Sequence, residues 1–229
     1  MIDKINAIWG IDNNTSDLGK FTGYEHLYDK FDTYTKEVYY ANPEQTIQEV
    51  YDLYRSVNLV PITYFTEQGM IDELKHFKSR GYNHVTDNVQ GLGNNAGSSI
   101  GRFLFPNMMT AEPKGRGSNS LRDRFLDEKK LKRAIRICFE FRDSNKLVYP
   151  MSLRTALELV TGENVTNFKA QHARSIVEHL CPVMWGRVYD YSMGFGGRLL
   201  GVSASNMNYT YIGTDPNTET FAYLEYLNE

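Results

Sequence analysis

The chain is poor in residues that staple a fold covalently. Only two cysteines occur among its 229 residues, Cys138 and Cys181. That is too few for a disulfide framework, so a reducing compartment is expected. No apolar run approaches the roughly 20 residues that span a bilayer. The opening Met-Ile-Asp-Lys lacks the charged-then-apolar pattern of a signal peptide. These absences predict a soluble, cytoplasmic protein without a membrane partner. The seven prolines are scattered and never adjacent, and no glycine stretch closes with the Gly-Lys-Ser/Thr of a P-loop. What is present excludes a disordered or fibrous chain: 41% hydrophobic and 23% charged residues, with 16 Tyr and 12 Phe to build cores. The length suits one large domain or two small ones.

The net charge of −3 hides an uneven distribution. Residues 1–60 hold ten acids and five bases, whereas residues 114–136 hold nine bases and three acids. A basic segment over 113–142, including Lys114, Arg116, Lys129, Lys130, Lys132 and Arg133, is therefore a candidate contact for nucleic-acid phosphates. A solvated helix face beside an acidic neighbour would have the same composition.

Periodicity predicts a helix over 43–57, with Asn42 placed to cap it, Pro43 in the first turn, and Ile47, Val50, Tyr51, Tyr54 and Val57 on one face. Leu59–Phe65 reads as an edge strand at best, because Pro61 removes a ladder donor. Thr66 caps a second helix with Met70, Ile71, Leu74 and Phe77 inward, stopped by Gly81, and residues 83–89 are a further candidate strand. Gly, Asn, Ser and Pro crowd residues 90–119, which predicts loops. A helix from Asp127 turns Leu131, Ile135, Cys138 and Phe139 inward, making Cys138 a core residue. Helices are also expected over about 153–161, capped by Ser152, and about 168–180, capped by Asn167 with Ala173, Ile176, Val177 and Leu180 inward.

The chemistry-bearing segment comes late. Val188–Tyr191 reads as a buried parallel strand, followed at once by Gly194, Gly196 and Gly197 and by a helix beginning at Arg198. Tyr209-Thr-Tyr-Ile-Gly-Thr-Asp215 then forms a second strand with an acid at its tip. A strand, a glycine turn and a helix bring backbone N–H groups to a bound ligand, and an acid after the second strand can accept from ribose hydroxyls. The expectation is βαβ binding of an adenosine-containing cofactor. The spacing of Gly201 breaks the dinucleotide pattern, and Asp190, four residues before the first glycine, suits the amino group of a methionine-like tail. Both features favour S-adenosylmethionine over NAD. Packing glycines and a helix-capping Asp215 are the structural alternative.

Asp190-Tyr-Ser-Met-Gly-Phe-Gly-Gly-Arg-Leu-Leu-Gly followed by Tyr211-Ile-Gly-Thr-Asp-Pro-Asn resembles motifs I and II of S-adenosylmethionine-dependent methyltransferases. Its Phe-Gly-Gly-Arg-Leu-Leu-Gly form is similar to DNA methyltransferases carried by phages and mobile elements. Asn167-Phe-Lys-Ala-Gln-His-Ala resembles that group's motif X. The resemblance implies a cofactor site of Phe168, Asp190, Ser192, Gly194, Gly196 and Asp215. Asp190 would meet the methionine amino group, Asp215 the ribose, and Phe168 the methionine end. It also implies an α/β protein, with an α-rich region over 1–165 and a partial Rossmann-like, S-adenosylmethionine-binding unit over 166–229.

Enzymes that methylate a base amino group use a later Asp/Asn/Ser-Pro-Pro-Tyr/Phe motif, whose ring stacks on the flipped base. The absence of Pro-Pro leaves that motif unfilled. Cys181-Pro182 has the order opposite to that of a cytosine-C5 nucleophile. No catalytic residue and no metal ligand is therefore assigned. The expectation is the N-terminal portion of a DNA methyltransferase, working with a C-terminal catalytic portion or second subunit. A catalytically silent nucleic-acid-binding or regulatory protein with a vestigial cofactor fold is the alternative.

Overall fold

The computed structural model describes residues 2–11, 19–79, 95–113, 119–141, 145–161, 164–181 and 184–228, with residues 226–228 described by backbone only. The fold is mixed α/β and helix-rich, with two small sheets among the described residues. Among the described residues no helix is long and apolar enough to cross a membrane. The chain divides into two compact units. One joins Met1–Gly19, Phe65–Met108 and Thr166–Glu229, and the other joins Lys20–Tyr64 and Met109–Val165. Strands β1 (Lys20–Phe21) and β2 (Tyr64–Phe65) pair where the chain enters and leaves the second unit.

The second unit is built around helix Glu128–Glu140, which packs against helices Pro43–Val57 and Pro150–Leu159. Its apolar positions recur three and four residues apart. Leu131, Ala134, Ile135, Cys138 and Phe139 are accordingly all fully buried, Cys138 as expected. Asp127 caps it by accepting from the Lys130 amide at 2.9 Å. Helix Pro43–Val57 has the expected bounds and ends at Asn58 in the left-handed conformation. Asn42 sits at its cap position, but its amide donates to Gln45 instead of capping the backbone. An aromatic core fills the space beside it: Tyr54 stacks on Phe31 at 5.3 Å and meets Tyr24 at 4.9 Å, and Tyr39 stacks on Phe139 at 4.6 Å. Ser152 lies within its helix, which starts earlier, at Pro150. Its hydroxyl donates to the Lys146 carbonyl, so it does not cap the helix.

The first unit contains helices Ile2–Trp9, Glu67–Ser79, Ser98–Leu104, Ala170–Leu180 and Thr218–Asn228, together with a βαβ segment. In that segment β3 (Trp185–Asp190), helix Gly197–Ser203 and β4 (Asn208–Gly213) follow in order. The two strands are parallel, in a register that pairs Trp185 with Asn208, Val188 with Tyr211 and Asp190 with Gly213. Thr66 caps its helix through the Gly69 amide at 3.1 Å, as expected, although Ile71 on that helix is exposed. Gly81, the candidate strand over 83–89 and the beginning of the glycine-rich stretch lie outside the described residues.

Several expectations fail for identifiable reasons. Residues 98–104 are helical and not loop, because Ile100, Phe103 and Leu104 lie three and four residues apart and are buried, outweighing the Gly and Ser content. Ile176 and Leu180 are exposed, because Ala170–Leu180 packs through Ala170, Ala173, Arg174 and Val177 instead. Strand β3 is buried on one face only: Val188 is half-buried and Asp190 buried, while Trp185, Arg187 and Tyr189 point to solvent.

Candidate functional site

The carboxyl ends of β3 and β4 bring the predicted cofactor residues together. Beyond β3 the chain turns through Met193 and Gly194, and the turn is fastened to the end of β4. The Met193 amide donates to the Thr214 carbonyl at 3.0 Å, and the Gly194 amide to Asp215 Oδ2 at 2.8 Å. Asp215 Oδ1 accepts from the Asn217 amide at 2.9 Å. The acid at the tip of the second strand thus holds the glycine turn and its own loop at once. Each of its oxygens retains accepting capacity for a hydroxyl.

The glycines are required for different reasons. Gly194 and Gly196 both have positive φ, +52° and +69°. A Cβ on Gly196 would also stand 2.8 Å from the Phe105 ring. One on Gly197, whose φ is ordinary, would stand 1.9 Å from the Phe168 carbonyl. Asn167 explains that closeness: its side chain donates to the Phe195 carbonyl at 2.7 Å and accepts from the Gly197 amide at 3.3 Å. It caps the helix after the glycines and not its own helix, whose N-cap position is Lys169. The motif X-like segment and the glycine turn are therefore one bonded structure.

Asp190 is the electrostatic centre of the cluster. Its carboxylate is buried, and Oδ2 accepts from Arg198 Nε at 2.5 Å and from the Tyr211 hydroxyl at 2.5 Å, while Oδ1 accepts from the Ser192 amide at 3.1 Å. Burial by itself favours the protonated acid. The bonds from Tyr211, Arg198 and the Ser192 amide outweigh it and hold the group below its ordinary value. The Tyr211 hydroxyl is pushed up, first by burial and then by its bond to Asp190. Arg198 also donates to the Ser192 carbonyl, and its guanidinium stands 5.3 Å from the centre of the Phe168 ring. Phe168 and Ser192 are exposed. The residues missed by sequence reasoning are Arg198 and Tyr211, the partners of Asp190. Tyr211 was legible only through the strand register, which puts it on the same sheet face as Asp190.

The basic segment resolves residue by residue. Lys114 and Arg116 lie outside the described residues. Lys132 pairs with Glu128 at 2.5 Å and lies over the Tyr51 ring, and Lys130 donates to Asn119. Arg136 pairs with Glu44, and Arg124 is buried against the Asn119 and Leu157 carbonyls and Asn164. Lys129 and Arg133, one helical turn apart, are exposed and have no ion-pair partner among the described residues. Among the described residues no group of three or more His, Cys, Asp or Glu side chains is placed to hold a metal ion.

Comparison of the chain with protein-family models, with curated proteins and with solved structures gives no match.

Proposed function

We propose that the chain is an S-adenosylmethionine-binding, DNA methyltransferase-like protein, and that β3, the glycine turn and β4 are a partial Rossmann-like unit. One observation carries this reading: Asp190, the glycine turn and Asp215 gather at the carboxyl ends of two adjacent parallel strands, the end at which open α/β sheets bind ligands. In this reading Asp215 keeps its grip on the Gly194 amide and accepts from the ribose hydroxyls. Asp190 takes the methionine ammonium in exchange for Arg198, whose partly exposed guanidinium swings to the methionine carboxylate. Phe168, freed from Arg198, packs on the methionine end. The cofactor supplies an electrophilic methyl group, and the receiving base amine is held by residues of the Pro-Pro-aromatic kind from another polypeptide segment. Lys129 and Arg133 contact DNA phosphates.

One observation favours the second reading, a nucleic-acid-binding or regulatory protein with a vestigial cofactor fold. Asp190 and Asp215 both already accept from internal donors, Asp190 from a cation among them, so the cluster holds together without a ligand.

Titration calorimetry with S-adenosylmethionine, S-adenosylhomocysteine and NAD separates the two. Binding of the first two but not NAD, weakened in Asp215→Asn, supports the methyltransferase reading. Arg198→Ala should still bind S-adenosylmethionine, but with a smaller preference over its decarboxylated form, which lacks the group that the arginine would hold. A folded chain that binds neither adenosyl compound overturns the methyltransferase reading in favour of the vestigial one.

A further inference from the structure

The β3–β4 sheet has one face packed inside its unit and one face bare. Strand alternation sets Trp185, Arg187 and Tyr189 of β3 beside Asn208, Thr210 and Ile212 of β4, all exposed to solvent. Trp185 is 79% exposed and Tyr189 66%, and Tyr191, just beyond the strand end, is 78% exposed. Three aromatic rings of about 150–250 Å² each thus leave on the order of 400 Å² of ring surface in water, a patch large enough to mark an interaction site.

The chemistry of the patch selects its occupant. A parallel sheet covered by polypeptide is rich in Val, Ile and Leu. Here an arginine stands between two rings, Asn208 and Thr210 face them, and Ile212 is the single aliphatic side chain on the two strands' outward positions. The outward positions carry no carboxylate, and Arg187 has no ion-pair partner among the described residues. A second copy of the chain would set Arg187 against another uncompensated arginine. Aromatic rings two and four residues apart along the chain, with a guanidinium between two of them and no carboxylate at the outward strand positions, match what unpaired nucleobases on a phosphate backbone require. Bases stack on the rings, while the cation meets phosphate or stacks in its turn.

We propose that this face is a binding platform for single-stranded nucleic acid. Trp185 and Tyr189 stack unpaired bases, Tyr191 extends the platform toward the carboxyl end of β3, and Arg187 contacts the phosphate backbone. The proposal goes beyond the cofactor reading and does not depend on it, because none of these residues belongs to the Asp190–Asp215 cluster.

The test uses the whole chain with a short fluorescein-labelled oligo(dT), the matching duplex, and inorganic polyphosphate as a charge-only probe. Oligo(dT) is expected to quench tryptophan emission, because Trp185 is exposed whereas the other tryptophan, Trp9, donates its indole N–H to the Phe103 carbonyl. Anisotropy should show single strand bound more tightly than duplex or polyphosphate. Trp185→Ala and Tyr189→Ala should each weaken oligo(dT) about 5- to 150-fold. Arg187→Gln should lower the salt slope by about 0.7. All three variants should melt with the wild type, because these side chains face water, and calorimetry with S-adenosylmethionine reads the cofactor site separately. Absence of quenching, equal affinity for duplex and single strand, or unchanged binding by both aromatic variants overturns the proposal. So does unfolding of Trp185→Ala and Tyr189→Ala, which would mean that the face is covered. A dimer in sedimentation that Trp185→Ala dissolves overturns it in favour of a second copy as occupant.

Discussion

Replacing Asp190 with alanine tests the bonded cluster at the end of β3 most directly. The substitution strips three donors of their acceptor. The Tyr211 hydroxyl, half-buried, loses a hydrogen bond to a charged group, worth about 1.5–3 kcal/mol. The Ser192 amide loses a bond worth about 0.5–1 kcal/mol. The arginine contributes less than a fully buried ion pair, because its side chain is 30% exposed and can turn to water; under about 1 kcal/mol is a fair figure. The expected loss is about 2–5 kcal/mol at neutral pH. Urea unfolding followed by tryptophan emission and by circular dichroism measures it, and the loss should appear in the transition reported by Trp9, whose indole is bonded to Phe103 in the same unit. Proton linkage supplies a second signature. The folded-state value of Asp190 is depressed, so its stabilisation is fully present above the ordinary value of 3.8 and is lost as pH falls through the lower folded value. Wild type and variant should therefore converge in strong acid. A difference below about 0.5 kcal/mol at pH 7, or one that persists unchanged in strong acid, would refute the assignment of Asp190 as the anchor of this cluster.

The glycine turn offers a graded series read by thermal melting. Gly194→Ala meets nothing closer than 3.9 Å and should cost only its backbone strain, about 1–2 kcal/mol. Gly196→Ala adds contact with Phe105 and should cost more, and Gly197→Ala, driven into the Phe168 carbonyl, should cost most despite its ordinary φ. Tyr149, raised to about 12 by burial and by its bond to Asp32, should resist ionisation. Its raised folded value makes the stabilisation complete below pH 10 and lost as pH rises through about 12, and Asp32→Asn should lower the pH at which its phenolate absorbance appears. In salt-dependent DNA binding, neutralising Lys129 and Arg133 together should reduce the slope by about 2, whereas Lys132→Gln, already paired with Glu128, should change it little.

The contrast between what could be read in the chain and what could not follows from the range of each interaction. Helices Pro43–Val57 and Glu128–Glu140 were legible because their starting signals, Pro43 in the first turn and Asp127 at the cap, lie within a few residues of their apolar positions, and local and tertiary demands agree there. Helix Ser98–Leu104 was hidden by composition, since Gly97, Gly101 and the serines argue for loop while Ile100, Phe103 and Leu104 make the buried face. Ile176 and Leu180 mislead in the opposite direction, because an apolar stripe does not say which of two candidate faces the rest of the unit will cover. In β3 exposure alternates along Trp-Gly-Arg-Val-Tyr-Asp but residue type does not: Trp185 and Tyr189 face solvent while Asp190 is buried, so hydropathy along the strand does not reveal the bare face. The site shows the limit most sharply. The cluster of Asp190, the glycines and Asp215 follows from spacing along one βαβ segment, yet whether each acid is free depends on partners up to 21 residues away in sequence. Those partners act as internal donors that hold the carboxylates in place, and any cationic ligand at Asp190 must replace Arg198. Affinity there is therefore set by a difference between two charge-assisted contacts, a quantity that depends on geometry and that motif spacing does not encode.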